Sequence, residues 1–255
     1  MPPLVMFDLD QTLAESKQAL TPQMAELLAR LLTQTRVAVI SGGGLPQFLK
    51  QVVEQLPPSA NLSRLYLLPT SGAALYEWKS GQWSKVYEEK LSEQDAALIK
   101  EAVKTVAQET GLVDFSKPAY GERIEYRGSE VTFSALGQKA PLNEKQAWDP
   151  DKSKRRLLQK ALTECLPEYS ICLPNFEVGM GGATSIDITK KGIDKAYGIT
   201  KISEHLSIPI AEMLYVGDQL EPGGNDEAAT RTAIKTHAVK NPSETAFFIA
   251  SLLSA

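Results

Sequence analysis

LVMFDLDQTLAES, residues 4–16, is the stretch that decides the fold. It begins as an uninterrupted apolar run and ends with Asp8, Asp10 and Thr12 at alternating positions. Extended backbone places residues i and i+2 on the same face. Asp8 and Asp10 therefore point the same way, with Thr12 close behind. Two carboxylates so close repel each other. A bound divalent cation offsets that repulsion, and so does a shared proton. The plain alternative is a surface turn just past a strand, where Asp is common.

The rest of the chain supplies a frame for this strand. TPQMAELLARLLTQ (21–34) predicts a helix: Thr21 can cap it, Pro22 suits its first turn, and Met24, Leu27, Leu28, Leu31 and Leu32 form a stripe. RVAVISGGG (36–44) predicts a second buried strand, LPQFLKQVVEQL (45–56) an amphipathic helix, and RLYLLPTSGAALY (64–76) a third strand and a turn. This alternation implies right-handed crossovers and a parallel sheet.

The text changes at about residue 79. QWSKVYEEK (82–90) predicts a strand or an edge. SEQDAALIKEAVKTVAQETG (92–111) predicts a helix opened by Ser92 with Asp95 and closed by Gly111. RIEYRGSEVTFSAL (123–136) predicts a hairpin turning at Gly128, DPDKSKRRLLQKALTECL (149–166) a second helix, and YSICLPNFEVGMGGATSIDIT (169–189) further strands. Doubly wound character then returns, with a helix over 192–206, a buried strand AEMLYVGD (211–218), a helix start GGNDEAATRTA (223–233), a short strand near 234–239 and a final helix over 241–253. The predicted fold class is α/β. A doubly wound, Rossmann-like parallel core comprises 1–79 and 191–255, and an inserted α+β domain comprises 80–190.

Composition narrows the class. The chain has 255 residues, 43% of them apolar, which suits a packed globular protein. Its net charge of −4 does not favour nucleic acid as a partner. No run approaches the roughly 18 apolar residues of a membrane span, and MPPLVMFDLD lacks the features of a signal peptide. Cys165 and Cys172 are the only cysteines and form no C-x-x-C pair, so both are expected as reduced core thiols. A cytoplasmic protein, with neither membrane nor nucleic acid as partner, is the expectation.

Ligands of open parallel sheets bind beyond the carboxyl ends of the strands. FDLDQT, VISGGG and YVGDQ all end there, and the helix containing Lys195 precedes the last of them. The candidates are Asp8, Asp10, Ser41, Lys195 and Asp218. In chemical terms, Asp8 can attack phosphorus as a carboxylate nucleophile, and Asp10 can protonate the leaving oxygen and then activate the acceptor. Asp8 and Asp218, with the backbone carbonyl of Asp10, can hold Mg2+. Ser41 and the N–H groups near Gly42 can hydrogen-bond a phosphoryl group, with Thr12 beside them, and Lys195 can neutralise its charge. Ser41 would otherwise serve only as a helix N-cap.

Taken in order, D-x-D-x-T after a strand, a strand-end Ser, a Lys opening a helix and a strand-end G-D resemble the haloacid dehalogenase superfamily of phosphotransferases. The insert between the Ser and Lys motifs resembles its type-IIB cap class, and the chain is most similar to the eukaryotic-type phosphomannomutases. VGDQLEPGGND resembles that family's loop after the metal-binding Asp, which implies that Asn225 and Asp226 support the metal site. GGATSIDITKKGIDK resembles the return from the cap and implies that Ser185 and Asp187 bind sugar hydroxyls. RIEYRGSE resembles the segment that carries a phosphate-binding Arg, which implies Arg127; Arg123 shares its strand parity and is a second candidate.

The chain also departs from that family. Gln11 stands where Gly is usual. Gln138 and Lys145 stand where phosphomannomutases have cap arginines, and Lys17 where they have another. Arg grips phosphate with a planar fork, Lys is a point charge and Gln has no charge. A mutase must hold a second phosphate; a phosphatase need not. The expected function is therefore a Mg2+-dependent phosphohydrolase acting on a small phosphorylated metabolite, a sugar phosphate or similar phosphoester, through an aspartyl phosphate. The alternatives are a phosphomannomutase and a non-catalytic sugar-phosphate-binding protein. An exposed cap edge also allows a homodimer.

Overall fold

The computed structural model describes residues 1–169 and 176–254, without the side chains of 165–169. In chain order the elements begin with β1 (Leu4–Phe7), α1 (Pro22–Gln34), β2 (Arg36–Ile40), α2 (Leu45–Gln51), β3 (Leu65–Leu68), β4 (Ala74–Lys79) and β5 (Gln82–Glu88). Next come α3 (Glu93–Glu109), β6 (Ile124–Tyr126), β7 (Glu130–Ser134), α4 (Leu142–Trp148), α5 (Ser153–Tyr169), β8 (Phe176–Met180) and β9 (Ser185–Lys190). The chain closes with α6 (Lys195–Leu206), β10 (Leu214–Gly217), α7 (Glu227–Thr230), β11 (Lys235–Ala238) and α8 (Pro242–Ser254). Among the described residues no helix is long and apolar enough to cross a membrane.

Two compact units result, one from Met1–Glu88 with Ile193–Ala255 and the other from Glu89–Gly192. The first contains a seven-stranded sheet in the order β11-β10-β1-β2-β3-β4-β5. Strands β11, β10, β1, β2 and β3 pair in parallel, while β4 and β5 add an antiparallel edge. The apolar run of β1 follows from burial on both faces. Val5 and Phe7 pack with α1 residues such as Met24 and Leu28. Leu4 and Met6 pack with Ile199 and Ile202 of α6. Helix α1 starts as predicted: the Thr21 hydroxyl accepts the Met24 N–H at 3.2 Å. The helix predicted over 45–56 stops at Gln51, whose carbonyl accepts the Leu20 N–H at 2.9 Å.

The alternating polar text of β5 predicts a strand of the insert. It instead pairs with β4 along Ala74↔Glu88 to Lys79↔Gln82, so the first unit runs on to Glu88. Polar alternation is what an edge strand of the core presents as much as an inserted one.

The second unit is an antiparallel sheet in the order β6-β7-β9-β8, with α3 and α5 packed on one face. The hairpin β6–β7 turns at Gly128, which has φ 87°. Helix α3 is capped by the Ser92 hydroxyl, which accepts the Asp95 N–H at 3.0 Å. Val131, Phe133, Ile186 and Ile188 face the helices. The alternate positions of the same strands carry Glu130, Thr132, Ser134, Ser185 and Asp187, with Thr132 opposite Asp187 and Ser134 opposite Ser185. Helix α4 was not anticipated from the sequence. The expectation for Cys165 and Cys172, and that of strand from 170 to 175, falls outside the described side chains and residues, while Tyr169, expected to open that strand, instead ends α5.

Candidate active site

Strands β10, β1 and β2 are neighbours in parallel, so their carboxyl ends bring Asp218, Asp8 and Ser41 to one edge. Asp8 is 2% exposed, and its N–H donates to the Val216 carbonyl at 3.0 Å. The chain then turns sharply. Gln11 N–H meets the Ala14 carbonyl at 2.7 Å, and Gln11 takes φ 64°, a left-handed conformation that a glycine adopts at less cost. The Gln11 side chain is held by Glu15 at 3.0 Å. Inside this turn the buried Thr12 hydroxyl donates to Asp218 Oδ1 at 3.2 Å. Thr12, expected on phosphate, thus spends its hydroxyl on orienting Asp218.

Lys195 is the first residue of α6 and is buried. Its ammonium donates to Asp8 Oδ1 at 2.6 Å, to Asn225 Oδ1 at 3.3 Å, and to Asp226 Oδ1. The helix is fixed by Asp194, which accepts the Tyr197 N–H at 3.1 Å and pairs with Arg231. It is also fixed by a glycine contact. A Cβ on Gly198 would stand 2.7 Å from Ile40 Cδ1 and 3.0 Å from Gly72 Cα, so two bare backbones meet where side chains would hold α6 away.

Asp226 is fully buried and accepts three hydrogen bonds. Its Oδ1 accepts from Lys195 and from the Tyr215 hydroxyl at 2.5 Å, and its Oδ2 accepts the Gln219 N–H at 3.1 Å. A Cβ on Gly217 would lie 2.4 Å from that Oδ2, which explains the glycine before Asp218. The loop 219–226 wraps this carboxylate, so the helix predicted from residue 223 forms only at α7. Asp226 therefore holds Lys195 in place.

The electrostatics follow from burial. Desolvation pushes the Asp8 carboxyl up to about 7; Lys195 opposes the rise, and Asp226 adds to it. Burial alone would lower Lys195, but Asp8 and Asp226 outweigh it and hold the ammonium above the ordinary lysine range. Burial would likewise raise Asp226, yet Lys195 and its other donors hold it below the ordinary carboxylate range. Asp218 is half-buried and raised, first by desolvation and then by Asp226.

One oxygen of each of Asp8, Asp218 and Asp226 falls within 4.8 Å of the others. Asp8 Oδ2 is buried and has no hydrogen-bond partner among the described residues. An all-carboxylate donor set fits a hard divalent cation. Asp226 is engaged by Lys195, Tyr215 and Gln219, which leaves Asp8 and Asp218 as the less committed carboxylates.

Asp10 lies at the margin of this group, partly exposed. Its Oδ1 accepts the Lys17 N–H at 2.6 Å, and its Oδ2 accepts from Gln47 Nε2 at 3.3 Å. Lys17 reaches Asp10 through its backbone, which is left-handed at φ 59°. Gln47, on α2, escaped the sequence reading. Its signal was the glycine run before it, since a Cβ on Gly43 would stand 2.2 Å from Gln47 Oε1. Ser41 is buried; its N–H donates to the Leu68 carbonyl at 3.3 Å, and its carbonyl accepts the Ser71 N–H at 2.9 Å. Gly42 follows in the same loop, with room for a Cβ 3.7 Å from Ser71 Oγ.

The candidate residues of the second unit form their own network. Arg127 donates to Glu125 Oε2 and Glu130 Oε1, each at 2.9 Å, and to Gln138 Oε1 at 3.4 Å. Lys145 donates to the Gln138 carbonyl at 2.9 Å. Asp187 projects from β9 opposite Thr132, and Gly181 makes room for it: a Cβ there would lie 2.3 Å from Asp187 Oδ2. Ser185, two residues before it, accepts the Gly181 N–H on its carbonyl at 3.0 Å. Arg123 acts as a strut. It donates to the carbonyls of Ala135 at 3.1 Å and Lys117 at 3.2 Å, and lies over the Phe115 ring.

Comparison with known proteins finds relatives along nearly the whole chain. The chain is 27% identical over 250 residues to a phosphomannomutase of Dendrobium officinale, covering 95% of this chain and 91% of that one. It is 25% identical over 243 residues to a phosphomannomutase of Encephalitozoon cuniculi, covering 95% and 90%. Among solved structures, a haloacid dehalogenase-like hydrolase from Bacteroides thetaiotaomicron matches with a TM-score of 0.65 at 16% identity, over 99% of this chain and 100% of that one. With the carboxylates, the lysine and both sheets accounted for, and a family model of haloacid dehalogenase-like hydrolases matching residues 5–254, the chain belongs to that family.

Proposed function

We propose that this protein is a Mg2+-dependent phosphohydrolase that cleaves a small sugar phosphate or similar phosphoester through an aspartyl phosphate on Asp8. The observation that carries this reading is the asymmetry of the Asp8 carboxylate. Lys195 grips Oδ1, while buried Oδ2 has no partner among the described residues. One oxygen is thereby fixed and the other is left for attack.

Oδ2 attacks phosphorus, and the bond from phosphorus to the sugar oxygen breaks. Asp10 gives its proton to that oxygen. Asp10 then takes a proton from the water that attacks the phosphoryl group, which frees Asp8 and inorganic phosphate. Ser41 and the N–H groups of the Gly42 loop hydrogen-bond the phosphoryl oxygens, and Lys195 offsets their charge. Asp8 and Asp218, with the carbonyl of Asp10, would hold Mg2+; its charge would keep Asp8 ionised at neutral pH and balance the phosphoryl oxygens. Thr12, Asn225 and Asp226 position these groups. Ser185 and Asp187 are the candidates for sugar hydroxyls.

A second reading, phosphomannomutase, is favoured by the names of the relatives. Phosphorus NMR with mannose 1-phosphate, Mg2+ and a trace of hexose bisphosphate separates the two. Accumulating inorganic phosphate supports the hydrolase. Mannose 6-phosphate without matching phosphate overturns it. Loss of turnover in Asp8→Asn is expected in either case.

A further inference from the structure

Three consecutive residues after β3 take left-handed backbone: Thr70 at φ 49°, Ser71 at φ 55° and Gly72 at φ 91°. Only the last is a glycine, and this conformation is uncommon for threonine or serine. Such outliers persist where surrounding contacts over-determine them. Here the contacts are with the loop that follows β2. The Ser71 N–H donates to the Ser41 carbonyl and the Thr70 N–H to the Gly43 carbonyl, each at 2.9 Å. A Cβ on Gly72 would lie 2.6 Å from Gly198 Cα, so α6 closes the turn in on that side.

These two bonds fix the direction of two peptide planes. In a trans peptide the N–H points opposite to the carbonyl of the preceding residue. The Ser41 carbonyl is drawn toward the turn after β3, and β2 lies between β1 and β3. The Gly42 N–H therefore points the other way, toward the end of β1, where Asp8 stands. The Gly43 carbonyl is drawn to the same turn, so the Gly44 N–H also points away from it. Among the described residues, no hydrogen bond takes the N–H of Gly42, Gly43 or Gly44.

We infer that Ser71, with Thr70, is a positioning residue for the phosphoryl group. Its left-handed backbone holds the 41–44 loop with two carbonyls turned back and the Gly42 and Gly44 N–H groups presented to phosphoryl oxygens. Were the turn to relax to the ordinary backbone of a serine, the Ser71 N–H would leave the Ser41 carbonyl. That peptide would then be free to rotate its carbonyl, which repels phosphate, into the site. Donors set in place before the reaction stabilise developing charge without reorganisation. The inference deepens the proposed reaction and rests on its reading that a phosphoryl group binds beside Asp8.

The test is a series of three variants that all lack the hydroxyl. Ser71→Gly keeps left-handed backbone freely, Ser71→Ala less well, and Ser71→Val opposes it through a branched Cβ. The readouts are affinity for inorganic phosphate in Mg2+ by calorimetry, kcat with p-nitrophenyl phosphate, and thermal melting. In Ser71→Val, phosphate is expected to bind about tenfold more weakly and kcat to fall about a hundredfold. Ser71→Ala should lie between, and Ser71→Gly should restore both to within about threefold of the wild type. A role confined to folding would lower Tm in that order and leave phosphate affinity and kcat unchanged, which overturns the inference. An equal loss in Ser71→Gly and Ser71→Val also overturns it, since the hydroxyl would then carry the effect. If Ser71→Val does not fold, the contrast between Ser71→Gly and Ser71→Ala decides. If the wild type binds phosphate yet hydrolyses no phosphoester, the proposed activity falls and the affinity series decides the inference. If it turns over but binds phosphate too weakly to measure, the kcat series decides. A wild type that does neither overturns both.

Discussion

Replacing Lys195 with Met keeps an unbranched chain of similar length and removes one charge. In the wild type that charge lies 2.6 Å from Asp8 and also bonds Asp226, and all three side chains are at most 3% exposed. Removing one partner of a buried ion pair costs about 3–5 kcal/mol, because the other charge is left uncompensated. For a chain of this size each kcal/mol moves Tm by about 2–4 °C, so a fall of roughly 6–20 °C is expected at pH 8 in EDTA. The deficit must depend on pH with a definite sign. The folded pKa of Asp8 already lies at about 7, above its ordinary 3.8, through burial. A raised folded pKa contributes stability below the unfolded value and loses it as pH climbs through the folded value. Without Lys195 the Asp8 pKa rises further, so the deficit grows as pH climbs past 7 and shrinks as Asp8 takes up a proton below about 7. Lys195 itself, held above the ordinary lysine range, stays charged throughout this window. Thermal melts of wild type and Lys195→Met from pH 5 to 8.5 measure the effect. A deficit that is absent at pH 8, or equal at every pH, would refute the buried-triad reasoning.

Other outcomes follow from the same geometry. Gly198→Ala should cost about 1–3 kcal/mol by overpacking against Ile40 and Gly72, and a urea titration at unchanged m-value would measure it. Because the shift moves the helix that begins with Lys195, kcat should fall with stability. Gln47→Ala frees Asp10 Oδ2 from its only side-chain donor among the described residues. A roughly tenfold loss of kcat with an altered pH–rate profile is expected, and an unchanged profile would count against a positioning role. Protection of Tm by Mg2+ should weaken as pH falls through about 7, where a proton competes for Asp8. Equal protection at pH 5.5 and 8 would argue that the cation does not use Asp8.

The core was readable because doubly covered strands leave a simple trace. Leu4 and Met6 pack on one side of the sheet, Val5 and Phe7 on the other, so β1 must be apolar throughout. The candidate edge was readable for the same reason, since Asp8, Ser41 and Asp218 are the first polar residues after such runs. β5 was misplaced because an edge strand exposes alternating polar side chains in either unit. Gln47, Tyr215 and the Gly72–Gly198 contact were missed because each acts across the fold, and nothing in its own neighbourhood of sequence marks its partner. The restraint of Arg127 was hidden likewise. Strand parity places Arg127 and Glu125 on one face, but only the tight turn at Gly128 brings Glu130 onto the guanidinium.

The central claim is that Asp8 forms a phosphoenzyme. Borohydride trapping during turnover tests it most directly, because it reduces an acyl phosphate on aspartate to homoserine. Peptide mass spectrometry after quenching with sugar phosphate and Mg2+ present should find homoserine at position 8, and none when substrate is omitted. Phosphate release without homoserine at position 8, or trapping at another carboxylate, would contradict the account.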